Sequence, residues 1–302
     1  MSHFTVLVIG PDPETQLAPF QENNMGECPP EYMEFEETTE DYRKDFAENN
    51  EGHETYADYM VYHHGYQMCA DGKKIGYWGN PNQKWDWYKL GGRWTGYFKL
   101  KPDANSEFAI KGSAGLMTSS AKDGYADTAL KKDIDVAGMI EIARGNAKER
   151  YEKVEALFPD GIPKIELTWA TICDKEGEYK DMEWDARKNL YHSQESIKIW
   201  KKIKHAKADE FNNSSSDGRS FYMWLDQDDY QCTKEEYIQS AGDSALSSYA
   251  ILKDGKWYER GEMGWWGMAS NEKDKDVWDK EFAKLIDELP DNTLFSLYDC
   301  HI

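Results

Sequence analysis

The segment SYAILKDGKWYER, residues 248–260, decides the fold class together with the residues that follow it. Apolar and aromatic runs flank Asp254-Gly255, a dipeptide that favours the two-residue turn of a β-hairpin. Residues 272–289 then carry apolar side chains at helical spacing, namely Val277, Phe282, Leu285, Ile286 and Leu289. After the helix, residues 293–299 fit a last strand. The C-terminal part therefore predicts a β-β-α-β unit.

The N-terminus supplies a second strand. Residues 4–9, FTVLVI, are almost wholly apolar and end at Gly10-Pro11, which is typical of a strand with both faces buried. Further along, apolar spacing predicts a helix over 133–158, and residues 163–173 alternate like a strand with 178–184 as its hairpin partner. Together these patterns predict an α+β fold with a mixed or antiparallel sheet and helices on one face.

We expect one α+β body over residues 1–302, interrupted by insertions. Residues 27–58 form an acidic insertion, 103–124 a loop of small and polar residues, and 190–240 a helical and loop insertion. The last of these contains IKIWKKIKHAK, residues 197–207, which predicts a short basic helix. We interpret this helix as one that docks on the acidic surface of the same chain. The alternative is that it contacts another subunit.

Residues 74–100 form an aromatic block that contains Tyr77, Trp78, Trp85, Trp87, Tyr88, Trp94, Tyr97 and Phe98. Trp85 and Trp87 alternate as in a strand, and Gly91-Gly92 favours a tight turn because glycine accepts a positive φ. Residues 93–98 would continue as a second strand, so the block predicts a β-hairpin. The two glycines lack the lysine and the strand-to-helix context of a phosphate-binding loop.

The charge of the chain is strongly negative and unevenly distributed. The formal net charge is −21 over 302 residues. Residues 27–58 carry twelve carboxylates against Arg43 and Lys44, which gives −10 within 32 residues. Such a surface repels nucleic acid and attracts the basic surfaces with which other proteins hold it. We therefore expect a protein partner and no direct binding of nucleic acid.

Composition also indicates where the protein resides. The sequence has no run of about 18 apolar residues, the length that a membrane-spanning helix needs. Its first residues lack the features of a secretory signal. The cysteines are odd in number, widely spaced and without a CxxC pair: Cys28, Cys69, Cys173, Cys232 and Cys300. This pattern favours reduced thiols in a cytoplasm, with no membrane as partner.

Two groups of residues are of the types that bind transition metals. One is His63, His64 and Cys69; the other is the C-terminal Asp299-Cys300-His301, taken together with His3. Neither spacing matches a recognised site, and Cys300 suits a small core residue. We therefore predict no metal, no cofactor and no catalytic residue. An enzyme that uses one of these two groups is the alternative.

The candidate partner-binding residues combine carboxylates with aromatic side chains. In the acidic insertion they are Glu34, Glu36, Glu37, Tyr42 and Phe46. Tyr42 and Phe46 stand four apart, as on one helix face. Trp265 and Trp266, between two glycines, are candidate anchors for a subunit or a partner. Solvated acidic side chains and core packing of the tryptophans are the simpler interpretations.

Four stretches of sequence occur together in this chain: MSHFTVLVIG (1–10), LAPFQENN (17–24), NPNQKWDWYKLGGRW (80–94) and DCHI (299–302). Their combination resembles a family of phage and prophage proteins, which is similar to the phage inhibitors of the bacterial Gabija defence system. The resemblance runs from end to end. It implies a non-enzymatic inhibitor that oligomerises around the Gabija nuclease–helicase complex in the host cytoplasm and blocks DNA recognition and cleavage.

The resemblance implies no particular site residue, because it carries no residue-level motif for inhibition. The acidity of the chain agrees with it. The acidity also permits a second alternative function, that of a general DNA mimic that fills the DNA channel of several nucleases.

Overall fold

The computed structural model describes residues 2–37, 40–64, 67–68, 75–105, 107–115, 118–174, 176–210, 221–223, 225–264 and 268–302. Helices make up 41% and strands 21%, and the sheet is mixed, so the predicted α+β class is confirmed. The chain folds into two compact units, Met1–Asp135 with Ser247–Ile302, and Val136–Leu246. The sequence-based division, one body with insertions at 27–58, 103–124 and 190–240, does not mark this boundary.

The first unit is built on a mixed seven-stranded sheet. Its strands are β1 (His3–Ile9), β5 (Trp87–Gly92), β7 (Ser113–Ala114), β9 (Thr128–Leu130), β10 (Ala250–Lys253), β11 (Lys256–Glu259) and β14 (Leu294–His301). Their order is β11-β10-β1-β14-β5-β7, and β9 also pairs with β14. The two terminal strands lie side by side: β1 pairs antiparallel with β14 and parallel with β10.

The predicted C-terminal β-β-α-β unit is present. Its members are β10, β11, a helix at Lys275–Asp287 and β14, with a short hairpin of β12 (Glu262–Met263) and β13 (Ala269–Ser270) before the helix. Trp278 on the helix donates its indole N–H to the Ser248 carbonyl at 2.8 Å. This contact joins the helix to the segment that leads into β10.

Both faces of β1 are buried, as its apolar sequence predicts. Val6, Leu7 and Val8 are fully buried. One core cluster of this unit comprises Phe4, Val6, Val8, Leu17, Phe20, Trp85, Ala250, Leu252, Tyr298 and Cys300. Cys300 is therefore a small core residue, as expected. Leu17 belongs to α1 (Pro13–Leu17) and is the buried residue of that helix.

The predicted hairpin over residues 85–98 is wrong. β5 pairs with β14 and β7, while Phe98–Lys99, strand β6, pairs with Tyr125–Ala126, strand β8. The chain does turn after Gly91, because the Trp94 N–H donates to the Gly91 carbonyl at 2.9 Å. After that turn it leaves β5.

Buried carboxylates explain why the chain leaves β5. Asp127 accepts hydrogen bonds from the N–H groups of Gly96, Tyr97 and Gly112 at 2.6 to 3.1 Å. Asp299 accepts one from the Arg93 N–H at 2.9 Å. These bonds satisfy the backbone donors of the loop in place of a strand partner.

The acidic segment forms regular structure. It contains β2 (Glu34–Glu37), α2 (Glu40–Glu48) and α3 (Tyr56–His64). β2 belongs to a three-stranded sheet with β4 (Ile75–Gly79) and β3 (Gln67–Met68). The helix expected from Tyr42 and Phe46 is present as α2, whereas the strand β2 was not anticipated.

The second unit consists largely of helices: α4 (Val136–Glu155), α5 (Trp169–Cys173), α6 (Trp184–Ser193), α7 (Glu195–Glu210) and α8 (Lys234–Asp243). The expected helix over 133–158 is confirmed as α4, and the basic helix as α7. Ile197 and Trp200 of α7 are fully buried within this unit.

Two strands predicted in this unit are wrong. Residues 163–173 end in helix α5, because the Thr168 side chain accepts the Thr171 N–H at 3.2 Å and caps the helix. The segment 178–184, expected as the hairpin partner, forms turns that lead into α6. The remaining described helix, Lys275–Asp287, is called α9 below.

Candidate functional site

The acidic residues proposed to bind a partner lie on an exposed edge of the small sheet. Glu34, Glu36 and Glu37 of β2 are exposed, and β2 pairs antiparallel with β4. Glu36 stands opposite Tyr77, and Phe35 stands opposite Trp78, which is 46% exposed. We call Glu34, Glu36, Glu37, Tyr77 and Trp78 the acidic strand surface.

Glu36 and Tyr77 are joined directly. The Tyr77 hydroxyl donates a hydrogen bond to Glu36 Oε2. This bond to a carboxylate is the main reason why the pKa of Tyr77 rises to about 12, with burial as a lesser cause. The Phe35 and Trp78 rings meet edge to face with centroids 5.5 Å apart. The strand pairing and these contacts hold the carboxylates and the indole in fixed positions.

Tyr42 and Phe46 are less exposed than the carboxylates. Both are half-buried on α2. The Phe46 ring packs against Tyr56 and Tyr59 of α3, with centroid distances of 5.8 and 5.4 Å. Phe46 therefore holds two helices together. Trp265 and Trp266, the other candidate anchors, lie outside the described residues.

The first group of candidate metal ligands lies on α3. His63 is on this helix with Nε2 3.2 Å from a Glu51 carboxylate oxygen, and its ring is 4.6 Å from that of Tyr59. Cys69 and the side chain of His64 lie outside the described residues. Within the part of the chain that the structure describes, no group of three or more His, Cys, Asp or Glu side chains has the arrangement of a metal site.

The second group comes together at the edge of the large sheet where β1 begins and β14 ends. His3 and His301 are register partners on β1 and β14, and Trp87 of β5 is paired with His301 on its other side. The three rings touch: His301 stacks on Trp87 at 5.1 Å, and His3 meets both edge to face at 5.0 and 5.2 Å. We call His3, Asp86, Trp87, Asp299 and His301 the histidine cluster.

Each histidine of the histidine cluster has its own carboxylate. His3 Nδ1 lies 2.7 Å from Asp299 Oδ1, and His301 Nδ1 lies 2.7 Å from Asp86 Oδ1. An ionised carboxylate only accepts hydrogen bonds, so Nδ1 of each ring carries the hydrogen. In a neutral ring, Nε2 is then the acceptor, the arrangement that prepares an imidazole to take up a proton or bind a ligand.

The Nε2 atom of His301 has no hydrogen-bond partner among the described residues, although it is buried. The side chain of His301 is 5% exposed. A buried acceptor without a partner costs free energy, so such an atom in a folded protein calls for an explanation.

Glu22 lies close enough to His301 for its charge to affect the pKa of the Glu22 carboxyl. Its N–H donates to the Trp85 carbonyl at 2.7 Å, which brings it next to Asp86. Burial raises the pKa of Glu22, the charge of Asp86 raises it further, and His301 opposes the rise. Among the described residues, the Glu22 carboxylate makes no hydrogen bond and no ion pair. Both Glu22 and His301 therefore carry an acceptor that no described residue satisfies.

Sequence reasoning found part of this site. It named His3, Asp299 and His301 as candidate metal ligands, but it missed Glu22, Asp86 and Trp87. Glu22 belongs to residues 17–24, and Asp86 and Trp87 belong to residues 80–94, two of the four stretches that carry the family resemblance. The other two stretches contain His3 and the pair Asp299 and His301. The joint occurrence of those stretches was a signal that they meet in space.

A cavity lies at the carboxyl ends of the parallel strands β1 and β10. It is open, measures about 650 Å³ and is lined by Gly10, Asp12, Gln16, Lys253 and Thr293 among others. Gln16 uses its amide N–H groups on the carbonyls of Ile9 and Pro11. Among the described residues, none of the buried unpaired polar atoms belongs to this lining.

Comparison with known proteins gave no match to a family model, to a curated protein or to a solved structure. As for membranes, every helix in the described ranges is too short or too polar to cross one.

Proposed function

We propose that this chain is a non-enzymatic, homo-oligomeric inhibitor of a host nuclease–helicase complex of the Gabija type. In the host cytoplasm it would bind and surround that complex and block its recognition and cleavage of DNA. The observation that carries the proposal is the acidic strand surface. Three exposed carboxylates lie along the edge strand β2, and the exposed Trp78 lies on the neighbouring strand β4, opposite Phe35.

The chemistry of this surface matches a basic, DNA-holding surface. Enzymes that act on DNA hold its phosphates with lysine and arginine side chains, and carboxylates attract the same side chains. The net charge of −21 extends this attraction over the whole protein. Trp78 supplies apolar area of the kind that anchors interfaces, and such anchors account for most binding energy.

The surface is also pre-organised. Strand pairing fixes the spacing of Glu34, Glu36 and Glu37, and the Tyr77 hydroxyl fixes the side chain of Glu36. Groups that are already ordered lose less conformational entropy on binding. A rigid strand can therefore select one partner by shape and charge together, whereas a disordered acidic tail would attract many.

The test is the mass of the mixture of this protein with a purified Gabija-type complex, measured by light scattering during size exclusion at physiological salt. We expect one species heavier than either component, and a mass above that of a monomer for the protein alone. The triple variant E34K/E36K/E37K should abolish the heavy species.

The matched control reverses three exposed carboxylates in the other unit, E141K/E149K/E166K, which changes the net charge equally. It should retain complex formation. Equal loss in both variants, or in neither, would contradict the assignment to the acidic strand surface. Salt-sensitive binding of the unmodified protein to unrelated nucleases would indicate a general DNA mimic instead.

A further inference from the structure

We propose that α7 of one copy of this chain docks on α3 of a second copy and that this contact joins the subunits. The proposal rests on the homo-oligomeric state in the proposed function and names the two surfaces that would form it. One surface is the basic face of α7, which comprises Lys198, Ile199 and Lys202. The other is the tyrosine face on and just before α3, which comprises Glu54, Asp58, Val61 and Tyr62. Neither includes a residue of the acidic strand surface.

The charge of the protein limits where two copies can meet. Copies that each carry a net charge of −21 repel one another, so a subunit contact needs a place where the sign is reversed. Residues 197–207 are such a place, since they contain no carboxylate and five lysines: Lys198, Lys201, Lys202, Lys204 and Lys207. Among the described residues, Lys201 and Lys202 make no hydrogen bond and no ion pair.

The basic face lies on the side of α7 opposite its buried residues. Ile197 and Trp200 are fully buried, whereas Lys198 and Lys202 are exposed and Ile199 is 38% exposed. The last three share one side because residues three or four apart are neighbours on a helix. Lys198 lies 3.5 Å from Glu195, an exposed ion pair of the kind that contributes little. The face thus presents an apolar side chain beside two ammonium groups.

The tyrosine face combines exposed apolar area with carboxylates. Val61 is 54% and Tyr62 74% exposed, and Asp58 is exposed one turn earlier on the same side of α3. The Tyr62 ring lies 5.0 Å from that of His53 and 4.8 Å from that of His63, measured between centroids. These contacts restrict the ring and leave most of it accessible. A side chain that is already ordered loses less conformational entropy on binding.

The two faces match in charge and in apolar content. Lysines flank the apolar side chain of the basic face, and carboxylates accompany those of the tyrosine face. Contact would bury Ile199 against Val61 and Tyr62, while lysine–carboxylate pairs fix the orientation. Two basic faces, or two tyrosine faces, would repel each other instead. Pairing of α7 with α3 of another copy is therefore the combination that electrostatic attraction favours.

The test is the mass of the protein alone, measured by light scattering over a series of concentrations. We expect a mass above that of a monomer for the unmodified protein, and the mass of a monomer for K198E/K202E and for E54K/Y62K. Two controls place the same changes of charge on exposed residues elsewhere: K148E/K164E in the helical unit and D103K/E107Q in the other unit. Both controls should associate like the unmodified protein.

Mixing the two variants tests whether the faces bind each other. K198E/K202E keeps an intact tyrosine face, and E54K/Y62K keeps an intact basic face, so the mixture should associate although neither variant does so alone. Restoration by mixing also shows that both variants are folded. Two variants that are folded by circular dichroism but stay monomeric when mixed would overturn the proposal. If a charge-reversed variant does not fold, Lys202→Gln and Tyr62→Ser replace it, and each should shift association to higher concentration.

Three further results would overturn the proposal. One is a monomeric unmodified protein at every concentration. This would also refute the homo-oligomeric state, but it leaves the binding of a nuclease complex to the separate measurement with E34K/E36K/E37K. Another is association that persists unchanged in both variants. The third is binding of a short DNA duplex that K198E/K202E abolishes while the mass of the protein alone stays the same, because the basic face would then serve nucleic acid.

Discussion

Asp86 and His301 are joined twice, although 215 residues separate them in the sequence. Asp86 Oδ1 lies 2.7 Å from His301 Nδ1, and the Asp86 N–H donates to the His301 carbonyl at 2.9 Å. The same Asp86 oxygen also accepts the Trp87 N–H at 2.7 Å. The carboxylate therefore connects the end of the last strand to the start of β5 and fixes the tautomer of the histidine.

Replacing Asp86 by alanine should destabilise the protein by about 1–3 kcal/mol, because the buried Nδ1–H of His301 loses its acceptor. The measurement is urea denaturation followed by circular dichroism. Asp103→Ala is the control, since Asp103 is exposed in a turn of the same unit. An Asp86→Ala midpoint equal to that of the control would show that the side-chain bond contributes nothing to stability.

Gly92→Ala and Gly145→Ala should change stability in opposite directions. Gly92 has φ +53°, and a Cβ there would lie 2.3 Å from Asp299 Oδ2. Left-handed strain of about 1–3 kcal/mol adds to that clash, so we expect a clear loss of stability. Gly145 lies in α4 with open space around it, and alanine there should stabilise by about 0.5–1 kcal/mol. Thermal unfolding measures both; a rise in Tm for Gly92→Ala would refute the role assigned to this glycine.

The same glycines show where sequence reasoning failed. The β-β-α-β unit could be predicted because the Asp254-Gly255 turn and the apolar spacing of α9 are local signals. Gly91-Gly92 carries an equally local signal for a hairpin. In the structure, however, the two glycines have positive φ and lie against the carboxylates of Asp127 and Asp299, which are distant in the sequence. A contact with a residue more than 30 positions away produces no periodic pattern in the local sequence.

Residues 163–173 and the histidine cluster illustrate two further limits. The alternation in 163–173 predicts a strand, yet a single threonine cap at Thr168 starts a helix there. For the site, residue types indicated His3 and His301, because few other roles suit a histidine beside a cysteine and an aspartate. Glu22 could not be selected, since it is one of 57 acidic residues and its environment depends on tertiary contacts.

The cysteines should differ in reactivity in the folded protein. Burial raises the pKa of Cys300 well above that of a free thiol, and Cys28 is buried with a raised pKa as well. Alkylation requires the thiolate and access to it, so both should resist iodoacetamide at pH 8. Burial raises the pKa of Cys232 as well, but its residue is exposed, and Cys173 is partly exposed. Because reagent can reach them, these two thiols should react first.

Mass spectrometry of the labelled peptides measures this order. Cys69 lies outside the described residues, so a Cys69→Ser background keeps the comparison simple. In urea all four remaining thiols should react, which is the control for intrinsic reactivity. Rapid labelling of Cys300 in the folded state would contradict its place in the core beside Tyr298.

Glu22→Gln should make the folded protein more stable at pH 7, which urea denaturation of both proteins from pH 4 to 8 measures. The pKa of Glu22 is raised from its ordinary value of 4.5 by burial and by Asp86, with His301 opposing. Because the pKa of Glu22 is higher in the folded state, protonated Glu22 adds to the free energy of unfolding. This contribution is complete below pH 4.5 and is lost as pH rises through the folded-state pKa. Glutamine carries no charge, so the variant should gain stability relative to the parent above that range and match it below.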